Sequence, residues 1–190
     1  VVFASGYSEV GPEGKERQKE LVEAADRLGI AIMGPNCAGY ANFVDGIFAF
    51  AFLVEERERK GNIGMISQSG QIVLGGLDSP NMGFSHVISS GNSCNVKVED
   101  YLDFLVDDED TKVVAAYMEG VTKPEKLVAA IQKAAIKKKP VVILKTGRSS
   151  KSQELAASHT GSLSGADKVL RAVFKRYGVV EASDLEELMS

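Results

Sequence analysis

Short apolar segments alternate with amphipathic helical segments along most of this chain, and no other feature constrains its fold as strongly. Five apolar segments of the second part predict strands, at residues 62–67, 85–89, 113–118, 141–145 and 179–181. Helical segments, with apolar residues recurring about every 3.6 positions, lie between them at residues 71–77, 98–106, 124–135 and 166–177. Strands separated by helices build parallel sheets, because a parallel crossover needs a long connection. The pattern therefore predicts a flavodoxin-like, doubly wound α/β domain.

The first part of the chain shows the same pattern on a smaller scale. Apolar segments at residues 1–4 and 30–33 predict strands, and residues 15–28 between them predict a helix that stops at Gly29. This strand–helix–strand unit again favours a parallel sheet. Because the chain opens on Val1 inside a predicted strand, we expect it to be a piece of a longer protein.

A run of consecutive charged residues from Glu55 to Lys60 interrupts the alternation. Such a run is typical of a solvated linker or turn. We therefore expect two units, one at residues 1–60 with the linker included, and a second domain at residues 61–190.

Composition narrows the classes of function. With 22 Lys and Arg against 26 Asp and Glu, the net charge of -4 argues against nucleic acid and anionic membranes as partners. Cys37 and Cys94 lie far apart, which excludes a disulfide scaffold or a zinc-ligand spacing and favours a reducing cytoplasm. The longest apolar run, residues 46–54, is too short to cross a bilayer. We expect no bound metal in this chain.

His159 lies in the most informative local sequence, Ser158-His159-Thr160-Gly161-Ser162. A neutral imidazole is a nucleophile near neutral pH, and small residues let backbone N–H groups approach phosphate oxygens. The surrounding loop, residues 147–165, is long for a compact domain, and long loops are often functional. The alternative is a histidine in an exposed Ser/Gly loop. His86, inside a predicted strand, is expected to be structural.

Two further strand ends carry polar residues. Ser67-Gln68-Ser69-Gly70 follows the first strand of the second domain and could form an anion cradle, although such residues are also common helix caps. Glu119-Gly120 follows the third strand, where the carboxylate could orient an imidazole or be an exposed loop acid. A nucleophile, an acid and a cradle together favour phosphoryl transfer through histidine. Neither Gly-x-Gly-x-x-Gly after the opening strand nor Gly-x-x-x-x-Gly-Lys-Ser/Thr occurs, so the phosphoryl donor must dock from elsewhere.

Several motifs, taken in order, resemble those of the NDP-forming acyl-CoA synthetases, relatives of the succinyl-CoA synthetase α subunit. The resemblance covers essentially the whole chain. The motifs are Gly34-Pro35-Asn36-Cys37-Ala38-Gly39, Gly64-Met65-Ile66-Ser67-Gln68-Ser69-Gly70, Ser90-Gly91-Asn92-Ser93, Tyr117-Met118-Glu119-Gly120 and Ala157-Ser158-His159-Thr160-Gly161-Ser162-Leu163.

The resemblance implies a fold and a reaction. Residues 1–54 would be the end of a Rossmann-like CoA-binding domain, and residues 61–190 a flavodoxin-like domain with the active-site histidine. Such enzymes make acyl-CoA reversibly from a carboxylic acid, CoA and ATP through an acyl phosphate. The nucleotide and its Mg²⁺ would bind an ATP-grasp subunit or domain outside this chain. An oligomer is expected, and this piece alone is expected to be inactive.

The resemblance also implies roles for single residues. His159 would be the phosphohistidine and Glu119 the carboxylate that orients and stabilises it. The phosphoryl group would be held by Ser67, Gln68, Ser69, Gly70, Thr160 and Gly161. The CoA thiol and the acyl group would lie near Asn36, Cys37, Ala38 and Gly39.

Two other interpretations of the function remain open. Related domains fused to protein acetyltransferases act as regulatory or CoA-sensing modules, but those would be expected to lose the histidine or its acid. Both His159 and Glu119 are present, which favours the enzyme. A flavodoxin-like module that binds a flavin or a protein explains the predicted fold but not the Ser-His-Thr-Gly-Ser loop.

Overall fold

A computed structural model describes residues 1–53, 60–146 and 163–189 of the chain. These residues form one mixed sheet with strand order β2-β1-β4-β3-β5-β6-β7. Its strands are β1 (Gly39–Asn42), β2 (Ile47–Phe50), β3 (Lys60–Ser67), β4 (Phe84–Ser89), β5 (Val113–Met118), β6 (Val141–Lys145) and β7 (Val180–Glu181).

The five strands β3 to β7 are parallel and adopt the flavodoxin order, because counting from β3 they run 2-1-3-4-5. This confirms the predicted flavodoxin-like α/β fold, and each of the five strands lies where the apolar pattern predicts it. In this topology the strand order reverses between β3 and β5. Ligands bind outside the carboxyl ends of the strands at such a reversal.

Helices cover both faces of the sheet. The described residues form the helices α1 (Pro12–Leu28), α2 (Gly70–Asp78), α3 (Val98–Asp107), α4 (Pro124–Lys137), α5 (Leu163–Tyr177) and α6 (Leu185–Leu188), and a 3₁₀ turn spans Ser8–Val10. Of these, α1 packs against the 3₁₀ turn, and the others cover the sheet. Successive residues of a strand point to opposite faces. Ile66 therefore belongs to the core under α3, α4 and α5, whereas its neighbour Met65 belongs to the core under α2. Leu188 of α6 completes the second face.

A β-hairpin, which the alternation did not predict, extends the sheet at one edge. β1 is antiparallel to both β2 and β4, with Asn42 opposite His86. The Asn42 side chain builds the turn, because its Oδ1 accepts the backbone N–H groups of Val44 and Asp45 at 2.9 and 3.0 Å. The hairpin hydrogen-bonds directly to the second unit, and the division at residues 60 and 61 stays a prediction.

The strands predicted at residues 1–4 and 30–33 do not form. The two segments share only a bond from Val2 N–H to Met33 O at 3.0 Å, and Ala4 O accepts from Asn36 N–H at 2.9 Å. Two bonds do not make a ladder, and Ile30 remains 54% exposed. The predicted helix between them does form, with Pro12 at its first position and Gly29 in the left-handed region at its end.

Within the ranges that the structure describes, no helix has both the length and the apolarity that a bilayer span requires.

Candidate functional site

A cavity of about 760 Å³ opens at the carboxyl ends of β3 and β5, where the strand order reverses. It lies between the β3–α2 turn, the β5–α4 loop and the loop before β1. The structure brings together in its lining these residues proposed from the sequence: Asn36, Cys37, Ala38, Gln68, Ser69, Gly70 and Glu119. A cleft that collects polar groups at this point of an open α/β sheet is the expected place for a ligand.

One wall of the cavity is the amino terminus of α2. Ser69 occupies the N-cap position, and its side chain makes no capping hydrogen bond. Gly70 and Gln71 follow as the first helical residues, and both line the cavity. The first N–H groups of a helix lack partners within the helix, and its dipole is positive at this end. This wall therefore suits an anion such as phosphate.

Two of the proposed residues support the cavity from behind instead of lining it. Ser67 is fully buried, and its Oγ accepts the Ser69 N–H at 3.0 Å and donates to the Ser69 carbonyl at 2.7 Å. Gly39 pairs with Phe50 in the hairpin, where a Cβ would collide with the carbonyl of Ala49. Both residues shape the backbone that carries the lining.

Gln68 connects the two strand ends at the reversal. Its Oε1 accepts the N–H groups of Glu119 and Gly120 at 2.6 and 3.0 Å. The assignment of this atom as oxygen follows from the two donors, since an amide nitrogen cannot accept them. The Glu119 side chain is exposed to the cavity, and in the described part of the chain no hydrogen bond or ion pair engages its carboxylate.

Cys37 lies in the loop opposite α2 with its side chain only 8% exposed. Its Sγ is 3.4 Å from the carbonyl oxygen of Val2. Burial raises the pKa of the thiol, which keeps it protonated at neutral pH. A protonated thiol is a poor nucleophile. Cys37 therefore fits a packing role in the cavity wall and not a nucleophilic one.

The β4–α3 loop forms a further part of the lining, which the proposed site residues did not include. Asn92 N–H donates to Pro35 O at 2.9 Å, and Asn92 Nδ2 donates to Glu9 Oε2 at 2.5 Å. Burial raises the pKa of Glu9, but this bond and the N–H groups of Gly6 and Tyr7 outweigh it and lower the pKa to about 2. The Ser-Gly-Asn-Ser motif was the available sequence signal for this loop, whereas nothing marked Glu9.

Other cavity residues also had no sequence signal. The lining also contains three apolar residues from separate segments of the chain, Phe3, Phe52 and Leu74. They are distant in sequence and resemble ordinary apolar residues until the chain folds.

His159, Thr160 and Gly161 fall outside the described residues. His86 is 4% exposed within β4 and stacks on Tyr40, as expected of a structural histidine. Among residues 1–53, 60–146 and 163–189, no group of three or more His, Cys, Asp or Glu could hold a metal ion.

The chain matches the model of the succinyl-CoA ligase-like flavodoxin domain over residues 60–190. A solved structure from Candidatus Korarchaeum cryptofilum superposes with a TM-score of 0.87 at 30% identity, covering 99% of this chain and 40% of that one. That protein is a dinucleotide-forming acetyl-coenzyme A synthetase 1 in complex with phosphate and ADP.

Curated relatives agree with this match. The chain is 41% identical to acetate–CoA ligase (ADP-forming) I of Archaeoglobus fulgidus, over 99% of this chain and 27% of the relative. It is 39% identical to the acetate–CoA ligase (ADP-forming) II subunit alpha of Pyrococcus furiosus, over 100% of this chain and 41% of the relative. The chain thus spans well under half the length of these relatives. With its fold, its motifs and these matches in agreement, the chain belongs to the NDP-forming acyl-CoA synthetase family.

Proposed function

We propose that this chain is the phosphohistidine-bearing part of an enzyme that makes acyl-CoA reversibly from a carboxylic acid, CoA and ATP. The observation that carries the proposal is the meeting of three features in one cavity. These are the free amino terminus of α2, the Glu119 carboxylate and the loop of Asn36 to Ala38. The names of the relatives, which are ADP-forming CoA ligases, support the same class of reaction.

The reaction proceeds in three transfers. His159 first takes the terminal phosphoryl group of ATP, and ADP leaves. A carboxylate oxygen of the substrate then attacks phosphorus, the P–N bond breaks, and an acyl phosphate forms. Finally the CoA thiol attacks the acyl carbon, the C–O bond breaks, and phosphate leaves with the thiol proton.

The cavity residues stabilise charge in these steps. The Ser69 hydroxyl and the Gly70 N–H group bind the phosphoryl oxygens at the start of α2, where the helix dipole favours negative charge. Glu119 accepts a hydrogen bond from the imidazole, which fixes its tautomer and stabilises the charged ring. The loop carrying Asn36 and Cys37 lies across the cavity, beside the CoA thiol and the acyl group.

The rest of the enzyme lies outside this chain. An ATP-grasp subunit or domain binds the nucleotide with its Mg²⁺, and the name "subunit alpha" of one relative supports a two-subunit form. We expect an oligomer in the cytoplasm, where ATP, CoA and a reducing environment are available. The buried free thiols of Cys37 and Cys94 agree with that environment.

The decisive experiment is phosphorylation of the full-length protein, with its nucleotide-binding partner, by γ-labelled ATP. We expect an acid-labile, base-stable label that His159→Asn abolishes. His86→Phe is the matched control, because this chain has two histidines and His86 is buried away from the cavity lining. CoA together with one acid from a panel of carboxylic acids should discharge the label and so identify the substrate. Label persisting in His159→Asn, or absent from the parent while CoA still binds, would overturn the proposal.

A further inference from the structure

The loop that carries Glu119 is held at both ends by side chains from other parts of the fold. We define the Glu119 loop as residues 119–123, between β5 and α4. At its start, Gln68 Oε1 accepts the N–H groups of Glu119 and Gly120 at 2.6 and 3.0 Å. At its end, Glu99 Oε1 accepts the N–H groups of Thr122 and Lys123 at 2.7 and 3.0 Å. Two acceptor atoms therefore take four of the backbone donors of one short loop.

Glu99 is the less obvious of the two anchors. It is 1% exposed, in the first turn of α3, and it is not among the residues that line the cavity. A buried carboxylate is costly unless it is hydrogen-bonded, and hydrogen bonds to an ionised acceptor are stronger than neutral ones. The Glu99 carboxylate lies at the start of two helices, because Glu99 is in the first turn of α3 and its Oε1 accepts the N–H of Lys123, just before α4. Both positions favour a negative charge, because each is the positive end of a helix dipole.

Gln68 adds a second constraint, because it belongs to the turn that leads into the phosphate-binding wall. The residue after it, Ser69, is the N-cap of α2. The bonds from Glu119 and Gly120 therefore tie the position of the loop to the start of α2. Lys145 Nζ holds the same loop from β6 by donating to the Glu119 carbonyl at 2.9 Å. Within the described ranges no hydrogen bond or ion pair holds the carboxylate itself, so its placement depends on the backbone that carries it.

We propose that Gln68 and Glu99 are positioning residues that together fix the Glu119 carboxylate relative to the amino terminus of α2. The inference rests on the proposed role of Glu119 in stabilising the phosphohistidine. Gln68 holds the start of the Glu119 loop next to the carboxyl end of β3, and Glu99 holds the end of the loop, Thr122 and Lys123, in place. A misplacement of about 1 Å at a reacting group can lower a rate by up to about 10²-fold.

The test removes each acceptor in the full enzyme and measures kcat and KM separately. Gln68→Met and Glu99→Met should each lower kcat about 10- to 100-fold in both directions of the reaction. The KM for CoA in acyl-CoA synthesis and the KM for phosphate in the reverse reaction should stay unchanged. Glu99→Gln, which keeps an oxygen at the same place, should restore most of the rate. Gln132→Met is the matched control, because it breaks a half-buried bond to Tyr177 at 2.7 Å between α4 and α5, away from the cavity. An unchanged kcat in both Met variants, or a rise confined to KM for phosphate, would overturn the proposal.

A double-mutant cycle with Glu119→Gln separates this inference from the proposed function. If the anchors act through Glu119, Glu99→Met should cost little further rate once Glu119 is already replaced. Losses that multiply would show that Glu99 acts independently and would overturn the proposal. If Glu119→Gln alone leaves the rate unchanged, the proposed role of Glu119 fails instead.

Hydrogen exchange gives a readout that does not depend on activity. In Gln68→Met the amides of Glu119 and Gly120 should lose protection while those of Thr122 and Lys123 keep it. Because Gln68 is only half-buried, this variant is expected to fold even if Glu99→Met does not. Protection at Glu119 equal to that of the parent would contradict the anchoring role.

Discussion

His86 Nδ1 lies 3.4 Å from Asp108 Oδ2, yet this imidazole nitrogen has no hydrogen-bond partner in the part of the chain that the structure describes. The ring is enclosed by Tyr40 and Phe104, at centroid distances of 5.9 and 5.4 Å. Burial lowers the pKa of His86, and the opposing charges of Asp108, Asp45 and Asp110 do not reverse this effect. The pair is therefore a neutral histidine beside a carboxylate and not a salt bridge at neutral pH.

Stability should fall on acidification because of His86. Its native pKa is below the unfolded value of about 6.5, so the unfolded state binds more protons once the pH drops through that value. The contribution is complete above about pH 6.5 and is lost as the pH falls toward the lowered native pKa. His86→Phe keeps the aromatic packing and removes the titration. Urea unfolding at a series of pH values from 7.5 to 5 should show a flatter profile in the variant; parallel profiles would contradict this reading.

Cys37 should behave as a packed thiol. Because burial raises its pKa and leaves the side chain 8% exposed, alkylation by iodoacetamide should be much slower in the native protein than in urea. The rate is best followed in Cys94→Ala, so that one thiol of this chain remains. Cys37→Ala should cost about 1 kcal/mol of stability and alter acyl-transfer kinetics only modestly. Complete loss of turnover in a folded Cys37→Ala protein would indicate that Cys37 acts as a nucleophile, contrary to this prediction.

Glu9 should contribute to acid sensitivity at the rim of the cavity. Its pKa of about 2 is below the ordinary value of 4.5, so its stabilising effect is present above about pH 4.5 and is lost as the pH falls toward 2. Glu9→Gln should therefore be less stable than the parent at pH 6, by a small amount because the side chain is exposed. The difference should shrink as the pH approaches 3.

Glu13→Gln provides the comparison for Glu9. Glu13 pairs with Arg17 on the exposed face of α1, and among the described residues no hydrogen bond or ion pair joins it to the β4–α3 loop. Chemical unfolding of the three proteins between pH 6 and 3 measures the effect. A gap between parent and Glu9→Gln that stays constant over this range would rule out the charge on Glu9 as its cause.

The alternating strands and helices from Lys60 to Glu181 could be predicted from the sequence because local signals and tertiary structure agree there. Each β–α step from Lys60 to Glu181 has an apolar strand, a polar turn and an amphipathic helix, and the parallel order follows from that alternation. The placement of Glu119 and Ser69 at one edge followed from the same rule, since ligands gather at the carboxyl ends of parallel strands.

Residues 1–53 could not be predicted in the same way. Apolar residues at 1–4 and 30–33 match the strand pattern, but a strand exists only when a neighbour completes its ladder, and these segments share too few bonds. The hairpin at residues 39–50 is the opposite case, because its strands form although the apolar pattern did not predict them. Its partner is β4, far along the chain, and that pairing is a tertiary choice that local periodicity does not encode.

The anchors of the Glu119 loop show the same limit within the site. Glu99 has the ordinary appearance of an acid in the first turn of a helix, and Gln68 that of a polar turn residue. Glu99 is 23 positions from Thr122 in the sequence, and Gln68 is 51 positions from Glu119, so only the folded chain reveals these hydrogen bonds.

Gly91 should be intolerant of any side chain, because two loops approach each other at its Cα. Its φ of 55° is left-handed, and a Cβ would lie 2.5 Å from the carbonyl oxygen of Asn36 and closer still to that of Pro35. Backbone atoms cannot move aside as a flexible side chain can, so Gly91→Ala should cost about 2–4 kcal/mol.

Gly120→Ala is the control for this prediction. A Cβ there meets no atom of the described residues within 4 Å, so the change should alter stability by less than about 1 kcal/mol. Urea midpoints of both variants measure the difference. The loop of Asn36 should also shift in Gly91→Ala and alter the CoA or acyl kinetics, because Asn92 next to it donates to Pro35 O at 2.9 Å. Equal midpoints for the two variants would mean that the loops separate freely and that this contact does not hold the cavity wall.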